Sequence, residues 1–459
     1  MIDWAAAAGW TAALAASPDR TAAAAAAAVD RAAPFRNAEF SLSPLPLFAD
    51  HATAAGLVPV LQRYVELLGK ILRLYREELE IRQWYGLSPA AEALIAADRA
   101  LGDTVPVCRL DGYLEQGSER LQLLENNADA PAGMLFTPRV NAVVRDALAA
   151  AGCPGPAWSE LTFAKETALL DVLLDCLRRA GLGDGEPRVA VLQFAGRSNR
   201  ESPQMAAAFQ AAGVPAVVAD PRDIRLAGGR VWFGSEPVNV CWNKVNTVGW
   251  SEVESDPALV ARWVEALSAR EFVHVNPFAA RYVAESKLTL ALPREPRFEA
   301  LFSAEERALV DTLLPWARRL TKDAVTQAGQ ARLLPDVLER QSEYVIKEPY
   351  DIRGDGVTVG LGLSRGAWEQ AVGRALDDQL IVQSYVAPSG YPVVRPGERP
   401  EVVAMPTSFD TFVLGGRVRG FGAKASLNRR LNVFQGGQKI AVHVPEPAAA
   451  GSPPAAPTE

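Results

Sequence analysis

The stretch from Arg109 to Gly133, RLDGYLEQGSERLQLLENNADAPAG, constrains the chain most. It reads as two strands, VCRLDGYL and ERLQLLENN, joined by the polar turn Gln116-Gly117-Ser118. Side chains alternate between the faces of a strand, so Arg109 and Asp111 share a face of the first strand, and Glu125 and Asn127 likewise share a face of the second. Asp129 follows in the same step. Unbroken alternation puts Leu121 and Leu123 on the face of Glu125 and Asn127, which predicts a buried acidic end. A hairpin of this shape gathers Asp111, Glu125 and Asn127. Two acids and an amide form an all-oxygen set that suits Mg²⁺, with water and phosphate as its other ligands. Arg109 stands beside them as a fixed cation. The same pattern also fits an ordinary hairpin with polar ends.

The rest of the 459 residues narrows the choice. At this length the chain divides into two to four domains or subdomains. A formal net charge of -7 argues against a protein held to nucleic acid by phosphate contacts. Four scattered cysteines (Cys108, Cys153, Cys176, Cys241) with no CxxC point to a reduced, cytoplasmic setting and no structural zinc. None has a neighbour in sequence that would activate a thiol. His51, His274 and His443 are too dispersed to form an evident metal cluster. No apolar run is long enough to span a membrane. The Ala-rich start lacks a basic region, carries Asp3 and is interrupted at Pro18-Asp19-Arg20, so it is not read as a signal peptide.

Residues 1–104 read as a helical region. The segment LVPVLQRYVELLGKILRLYREELEIRQWY is strongly amphipathic. Residues 105–185 hold the hairpin and two helices, TPRVNAVVRDALAAAG and ELTFAKETALLDVLLDCLRRAGLG. Residues 186–276 change style. RVAVLQF, a helix and VPAVVADP form a βαβ unit, hence a parallel sheet, and loops after such strands are the usual ligand crevice. Arg197, Ser198 and Asn199 occupy that loop, either as a pocket wall that contacts an acid substrate or as a polar loop with a helix cap. RLAGGRVWF reads as a hairpin and VNVCWNKV as a strand.

In residues 277–444 an Asn276-Pro277 turn leads to a helix carrying Lys287, and FSAEERALVDTLLPWARRL forms a further helix. Lys347 sits in a strand before the turn Arg353-Gly354-Asp355-Gly356. Glycines there let backbone N–H groups approach phosphate oxygens, and a strand lysine reaches the same charges. A strand with Gln383 follows a Ser-capped helix, and VVAMPTSFDTFVLGGRVRGFGAKAS makes a hairpin through Gly415-Gly416. Residues 445–459, rich in Pro and Ala, read as a disordered tail.

Taken in this order, the motifs resemble the circularly permuted ATP-grasp ligases, most of all the synthetase domain of glutathionylspermidine synthase. The resemblance spans roughly residues 105 to 440. It rests on Arg109-Leu110-Asp111, Glu125-Asn126-Asn127-Ala128-Asp129, Asn276-Pro277 with Lys287, Lys347 with Gly354 and Gly356, Gln383, and Gly415-Gly416. Metal residues precede the lysines, as in the permuted group. The resemblance implies a mixed α/β ATP-grasp fold in permuted order, with a parallel βαβ subdomain and an N-terminal helical region. It implies that Asp111, Glu125 and Asn127 bind Mg²⁺, and that Arg109 steadies the phosphoryl and acyl oxygens. Lys287, Lys347, Gly354 and Gly356 would hold ATP phosphates, and Gln383 would line the adenine site. The reaction implied joins a small-molecule carboxylate to an amine through an acyl phosphate, on an amino acid or small peptide. Where that family can place hydroxyl residues, this chain has Ala130-Pro131-Ala132, so backbone N–H groups of Ala130 and Ala132 would have to serve. Two other readings share the ATP site: a non-catalytic nucleotide-binding protein and a phosphotransferase.

Overall fold

The structure, a computed structural model, describes residues 1–32, 41–150, 157–197, 199–329, 331–351, 354–395, 401–428, 431 and 437–446. The first hundred residues are largely helical: Trp4–Ala16, Pro18–Ala32, His51–Glu77, Leu79–Tyr85 and Pro89–Ala97. The long helix starts where the Asp50 side chain accepts from Thr53 N (2.8 Å), a cap for an otherwise unpaired donor. Leu61, Tyr64, Leu68, Ile71, Leu72 and Tyr75 recur at helical spacing and are buried. Burying one such leucine contributes about 2 kcal/mol.

That face lies on a six-stranded sheet. Its order is Ser41–Leu42, Gln438–Ile440, Arg417–Ala425, Ser408–Leu414, Val107–Leu114, Leu121–Asn127. All neighbours are antiparallel except the first pair. The predicted hairpin is thus the outer end of a sheet completed from the C-terminal part of the chain. Gly415 and Gly416, at φ 61° and 73°, make the tight turn between the two middle strands.

The pairing register corrects one expectation. Glu125 lies opposite Asp111 but Leu123 lies opposite Gly112, so Leu124 is an extra residue, a β-bulge. The bulge reverses the alternation. Leu121 and Leu123 therefore join Leu110 and Leu114 on the face beneath the long helix, while Glu125 and Asn127 join Arg109 and Asp111 on the other. Asn126 turns toward the helix and accepts from the Tyr64 hydroxyl (3.0 Å).

A second sheet is parallel, in the order Val273–Val275, Val240–Asn243, Val189–Leu192, Ala216–Ala219. Its two central strands are buried throughout, which is why they read as unbroken apolar runs. Helices Ala168–Arg179 and Glu201–Ala211 pack on one face. The first of these begins eight residues later than ELTFAKET suggests, because residues 157–167 form turns and a bridge from Trp158 to Pro445.

A third sheet is antiparallel, in the order Ala317–Arg319, Ile381–Ser384, Tyr344–Lys347, Val357–Val359. Ala317–Arg319 was expected as the end of a helix. That helix stops at Leu313, and Leu314-Pro315 breaks it, since the residue before proline disfavours helical backbone. Tyr344, Ile346 and Val382 pack on Trp368 of helix Arg365–Asp377. Register puts Val345, Lys347, Ile381 and Gln383 on the other face. Lys287 also differs from expectation. It follows a π-helical turn, Ala280–Ala284, and starts a 3₁₀ turn, Lys287–Leu290, rather than lying on an α-helix, and is 3% exposed there. The expected disordered tail lies outside the described residues from 447 onward.

Candidate active site

The face of the central sheet away from the long helix carries a row of charges. Arg109 grips Asp111 with two nitrogens, Nε to Oδ1 at 2.6 Å and Nη2 to Oδ2 at 2.9 Å. Asn127 Nδ2 donates to Asp111 Oδ1 (3.0 Å) and Lys424 Nζ to Oδ2 (2.7 Å). One strand further in, Asp410 lies opposite Asp111 and meets Lys424 at 3.3 Å. Lys439 pairs in register with Lys424. Burial works against the Asp111 carboxylate, but Arg109 and Lys424 outweigh it and hold its pKa well below the usual range. Asp410 is pushed up, by burial and then by Asp111. Burial pulls the Lys439 ammonium down to about 8.

These contacts decide which groups can face a metal. A carboxylate offers about four acceptor positions. Asp111 fills them with Arg109, Asn127 and Lys424, so as arranged it is an anchor for cations. Glu125 is partly exposed, and Asn127 spends its NH₂ on Asp111 and on Arg109 O (3.2 Å), which leaves its amide oxygen without a partner among the described residues. Among the described residues no three His, Cys, Asp or Glu side chains group as a metal site. Glu125 and Asn127 alone fit Mg²⁺, which commonly takes only one or two protein oxygens and draws the rest from water and phosphate.

The two lysines arrive from different elements at the same bulge. Lys347 Nζ donates to the carbonyl of the bulged Leu124 (2.7 Å). Lys287 Nζ meets Asp351 at 2.5 Å and Glu125 at 3.4 Å. Burial would lower both pKa values. For Lys347 it prevails, and the ammonium falls to about 8. For Lys287 the carboxylates of Glu125 and Asp351 prevail, and its pKa rises. Gln383, 1% exposed on the same sheet face as Lys347, has an Nε2 with no acceptor among the described residues. Gly354 has φ 75°, open to glycine at little cost. Gly356 is required by packing, since a Cβ there would meet Asp351 Cβ at 2.8 Å and Glu348 Cβ at 3.0 Å. Arg353 lies outside the described residues.

Beyond Asn127 the chain is held by side chains from four elements. Glu285 accepts from Ala128 N (2.5 Å) and Asp129 N (3.0 Å), and its pKa is raised well above normal by burial and by Asp129. Arg281 donates to Asp129 O (2.7 Å). Lys244 donates to Pro131 O (2.7 Å) and pairs with buried Glu201 at 3.0 Å. Glu201 in turn accepts from Gly133 N (2.9 Å) and Leu135 N (3.2 Å). Arg109 Nη1 donates to Ala132 O (2.8 Å). Ala130 N is taken by the Asp129 side chain, whereas Ala132 N, on an exposed residue, has no partner among the described residues.

Sequence reasoning did not single out Asp410, Lys424, Lys439, Glu285, Arg281, Asp351 or the Glu201–Lys244 pair as site residues. For Asp410 and Lys424 the signal was a lone charge in an otherwise uncharged strand stretch, SFDTFVL and FGAKAS. The loop candidates take other roles. Arg197 is exposed, pairs with Glu252 and sits 5.0 Å over the Phe194 ring. Asn199 caps the following helix, accepting from Glu201 N (3.0 Å) and Ser202 N (3.4 Å). Ser198 lies outside the described residues. Cys108, Cys176 and Cys241 are buried, and burial pushes the Cys176 thiol up to about 12. No helix among the described residues is long and apolar enough to cross a membrane.

The sequence matches no protein-family model and no curated protein. The fold has a counterpart among solved structures. A glutathione synthetase-like effector, GSS30, from Globodera pallida in its apo form superposes with a TM-score of 0.61, at 14% identity, over 93% of this chain and 96% of that one. The chain therefore shares that protein's mixed α/β fold. A RimK domain ATP-grasp protein from Sphaerobacter thermophilus aligns at 17% identity over 54% of this chain and 96% of its own, and the D-cycloserine synthetase DcsG at 14% over 56% and 92%. Both superpose with a TM-score of 0.27, too loosely to bear on the fold.

Proposed function

We propose that the chain is an ATP-dependent carboxylate–amine ligase that releases ADP, built on an ATP-grasp arrangement in circularly permuted order. The observation that carries this reading is the convergence of Lys287 and Lys347 on the Leu124–Glu125 bulge, at the edge of a sheet face lined by Arg109, Asp111 and Asn127. Two buried ammonium groups beside one partly exposed carboxylate and one open amide oxygen form a site for a phosphate chain and its cation. Gln383, with a buried amide donor in search of an acceptor, suits the edge of a nucleotide base. The fold shared with a glutathione synthetase-like protein supports the same reading.

Glu125 and Asn127 would hold Mg²⁺ together with phosphate oxygens, and the ion would supply charge neutralisation to the transferring phosphoryl group. This chain's residues do the rest. Lys287 and Lys347 bind the phosphates. The acid's carboxylate oxygen takes the γ-phosphoryl group, and ADP leaves. The amine then attacks the acyl carbon, phosphate departs, and the amine loses a proton. Asp111 holds Arg109 and Lys424 in place as fixed cations, so no reorganisation is needed when negative charge develops on phosphoryl or acyl oxygens. Ala132 N points to a backbone donor for the acyl oxygen. Arg197 and Asn199, engaged elsewhere, make less of a claim on the acid than Ala132 does.

The test is a calorimetric titration of Mg·ATP into the wild type, Glu125→Ala and Lys347→Ala, paired with an ADP-release assay. The wild type should bind with one site per chain. Lys347→Ala should weaken binding at least ~10-fold, the loss of one buried charge-assisted contact. Lys347→Arg should rescue little, because a guanidinium does not replace a compact ammonium. Unchanged affinity in both lysine variants would remove Lys347 from the site.

A further inference from the structure

A cavity of about 290 Å³ opens between residues 295–297, strand Ala317–Arg319 and residues 321–325, with Trp84 in its wall. Three guanidinium groups line it: Arg297, Arg318 and Arg319. Arg319 is already bonded, to Gln379 O (3.1 Å) and to Trp84 O. Arg297 is half-exposed, 3.8 Å from Glu295 Oε1. Arg318 is different. It is only 7% exposed, lies 5.8 Å over the Trp316 ring, makes no hydrogen bond among the described residues, and its Nε is sealed from solvent. Its nearest carboxylate, Glu295 Oε2, is 3.9 Å away and shared with Arg297. Arg294, close by, adds repulsion and is itself consumed by Asp311 and backbone carbonyls.

An arginine has five donors and no way to shed its charge, so burying it without an acceptor is costly. Buried cations persist where something satisfies them. Asp323 also lines the cavity but is exposed and bonded to Arg332 at 2.8 Å, so the only lining carboxylate among the described residues left to face the three guanidiniums is Glu295, itself spread over Arg297 and Arg318 at 3.8 and 3.9 Å. That balance calls for a dianion, and the guanidinium fork matches phosphate oxygens in geometry as well as charge. We propose that this cavity binds the phosphate group of a small molecule. The site is separate from the nucleotide site proposed above. In the register of the third sheet, Arg318 lies on the face opposite Lys347 and Gln383, whereas Arg319 shares their face at the edge strand, and no residue of the nucleotide site lines the cavity. A phosphate there would bridge the third sheet to the helical region through Arg318 and Arg319 on one side and Trp84 on the other.

The experiment is a titration of inorganic phosphate into the full chain, read as thermal stabilisation and by calorimetry. It compares the wild type, Lys347→Ala, Arg318→Gln and Arg297→Gln. Lys347→Ala, in which the nucleotide site is weakened, should keep a saturable phosphate-binding component that belongs to this cavity. Both arginine variants should bind phosphate at least ~10-fold more weakly. Arg297 is half-exposed, so its variant keeps the test sharp if Arg318→Gln does not fold. Binding lost in Lys347→Ala but retained in Arg297→Gln and Arg318→Gln would overturn the proposal, as would the absence of saturable binding in the wild type.

Discussion

The central sheet and the third sheet both turn charged side chains toward the site, and they treat those charges oppositely. Around Asp111 on the central sheet compensation is internal: the carboxylate receives Arg109, Lys424 and Asn127, although further in Asp410 meets only Lys424, its Oδ1 has no hydrogen-bond partner among the described residues, and burial draws Lys439 down to about 8. On the third sheet the polar groups are left short. Among the described residues Lys347 has one carbonyl and Gln383 lacks an acceptor for its Nε2, and burial has drawn the lysine's pKa down to about 8. A network that satisfies itself is rigid and pre-organised. A surface that does not is poised for an anionic ligand. The difference separates the part of the site that positions charge from the part that waits for phosphate.

The sharpest way to break this contrast is Asp111→Asn. It leaves Arg109 and Lys424 buried without their shared anion, and should lower the free energy of unfolding by about 3–5 kcal/mol in denaturant titrations. A loss below about 1 kcal/mol would mean the central sheet is not internally compensated. Next is Lys347→Met, which removes a poorly satisfied buried cation. It should stabilise the protein by about 1–3 kcal/mol while nucleotide affinity drops. Destabilisation of similar size would show that Leu124 O alone satisfies the lysine.

Glu125→Ala sits between the two regions. It should move stability by no more than about 0.5–1 kcal/mol, since Glu125 is partly exposed, yet abolish ADP formation. Near-normal turnover in the folded variant, at saturating ATP and Mg²⁺, would sink its role.

The smallest effect concerns His274 in the parallel sheet, where burial is answered by neutrality. Burial lowers its pKa, against the pull of Asp98 at 3.1 Å, and Asn243 at 3.0 Å and Arg281 also face it. A folded-state pKa below the unfolded value of about 6.5 means that the unfolded chain takes up a proton first as pH falls. Stability present above pH ~6.5 should therefore decline as pH drops toward 5, and His274→Asn should flatten that slope by up to about 1 kcal/mol. Equal slopes in both proteins would show that His274 titrates alike in both states.

Much of this was legible from residue order. The hairpin, the parallel unit and the Gly-Gly turn follow from apolar periodicity and turn chemistry, which are local. Lys347, Arg109 and Asp111 stand out as charges within strand patterns. What escaped depends on contacts distant in sequence. The Leu124 bulge is set by register against Val107–Leu114 and inverts which residues share the face of Glu125. Lys424 and Asp410 join the site only because strands about 300 residues away pair with the hairpin, Asp410 lying opposite Asp111. Asn199, read as pocket wall or cap, is a cap because the next helix needed an acceptor for its first N–H groups.

The central claim is that a carboxylate is activated as an acyl phosphate, and trapping tests it most directly. The protein, Mg²⁺ and ATP are incubated with a panel of carboxylic acids, amino acids and small peptides, with hydroxylamine replacing the amine. Products are read by mass, and the nucleotide by chromatography. The account predicts that at least one acid yields its hydroxamate with stoichiometric ADP, and that Glu125→Ala yields neither. AMP and pyrophosphate would point instead to an acyl adenylate. ADP with a stable phosphorylated product and no hydroxamate would indicate a phosphotransferase, and either result would contradict the proposed chemistry.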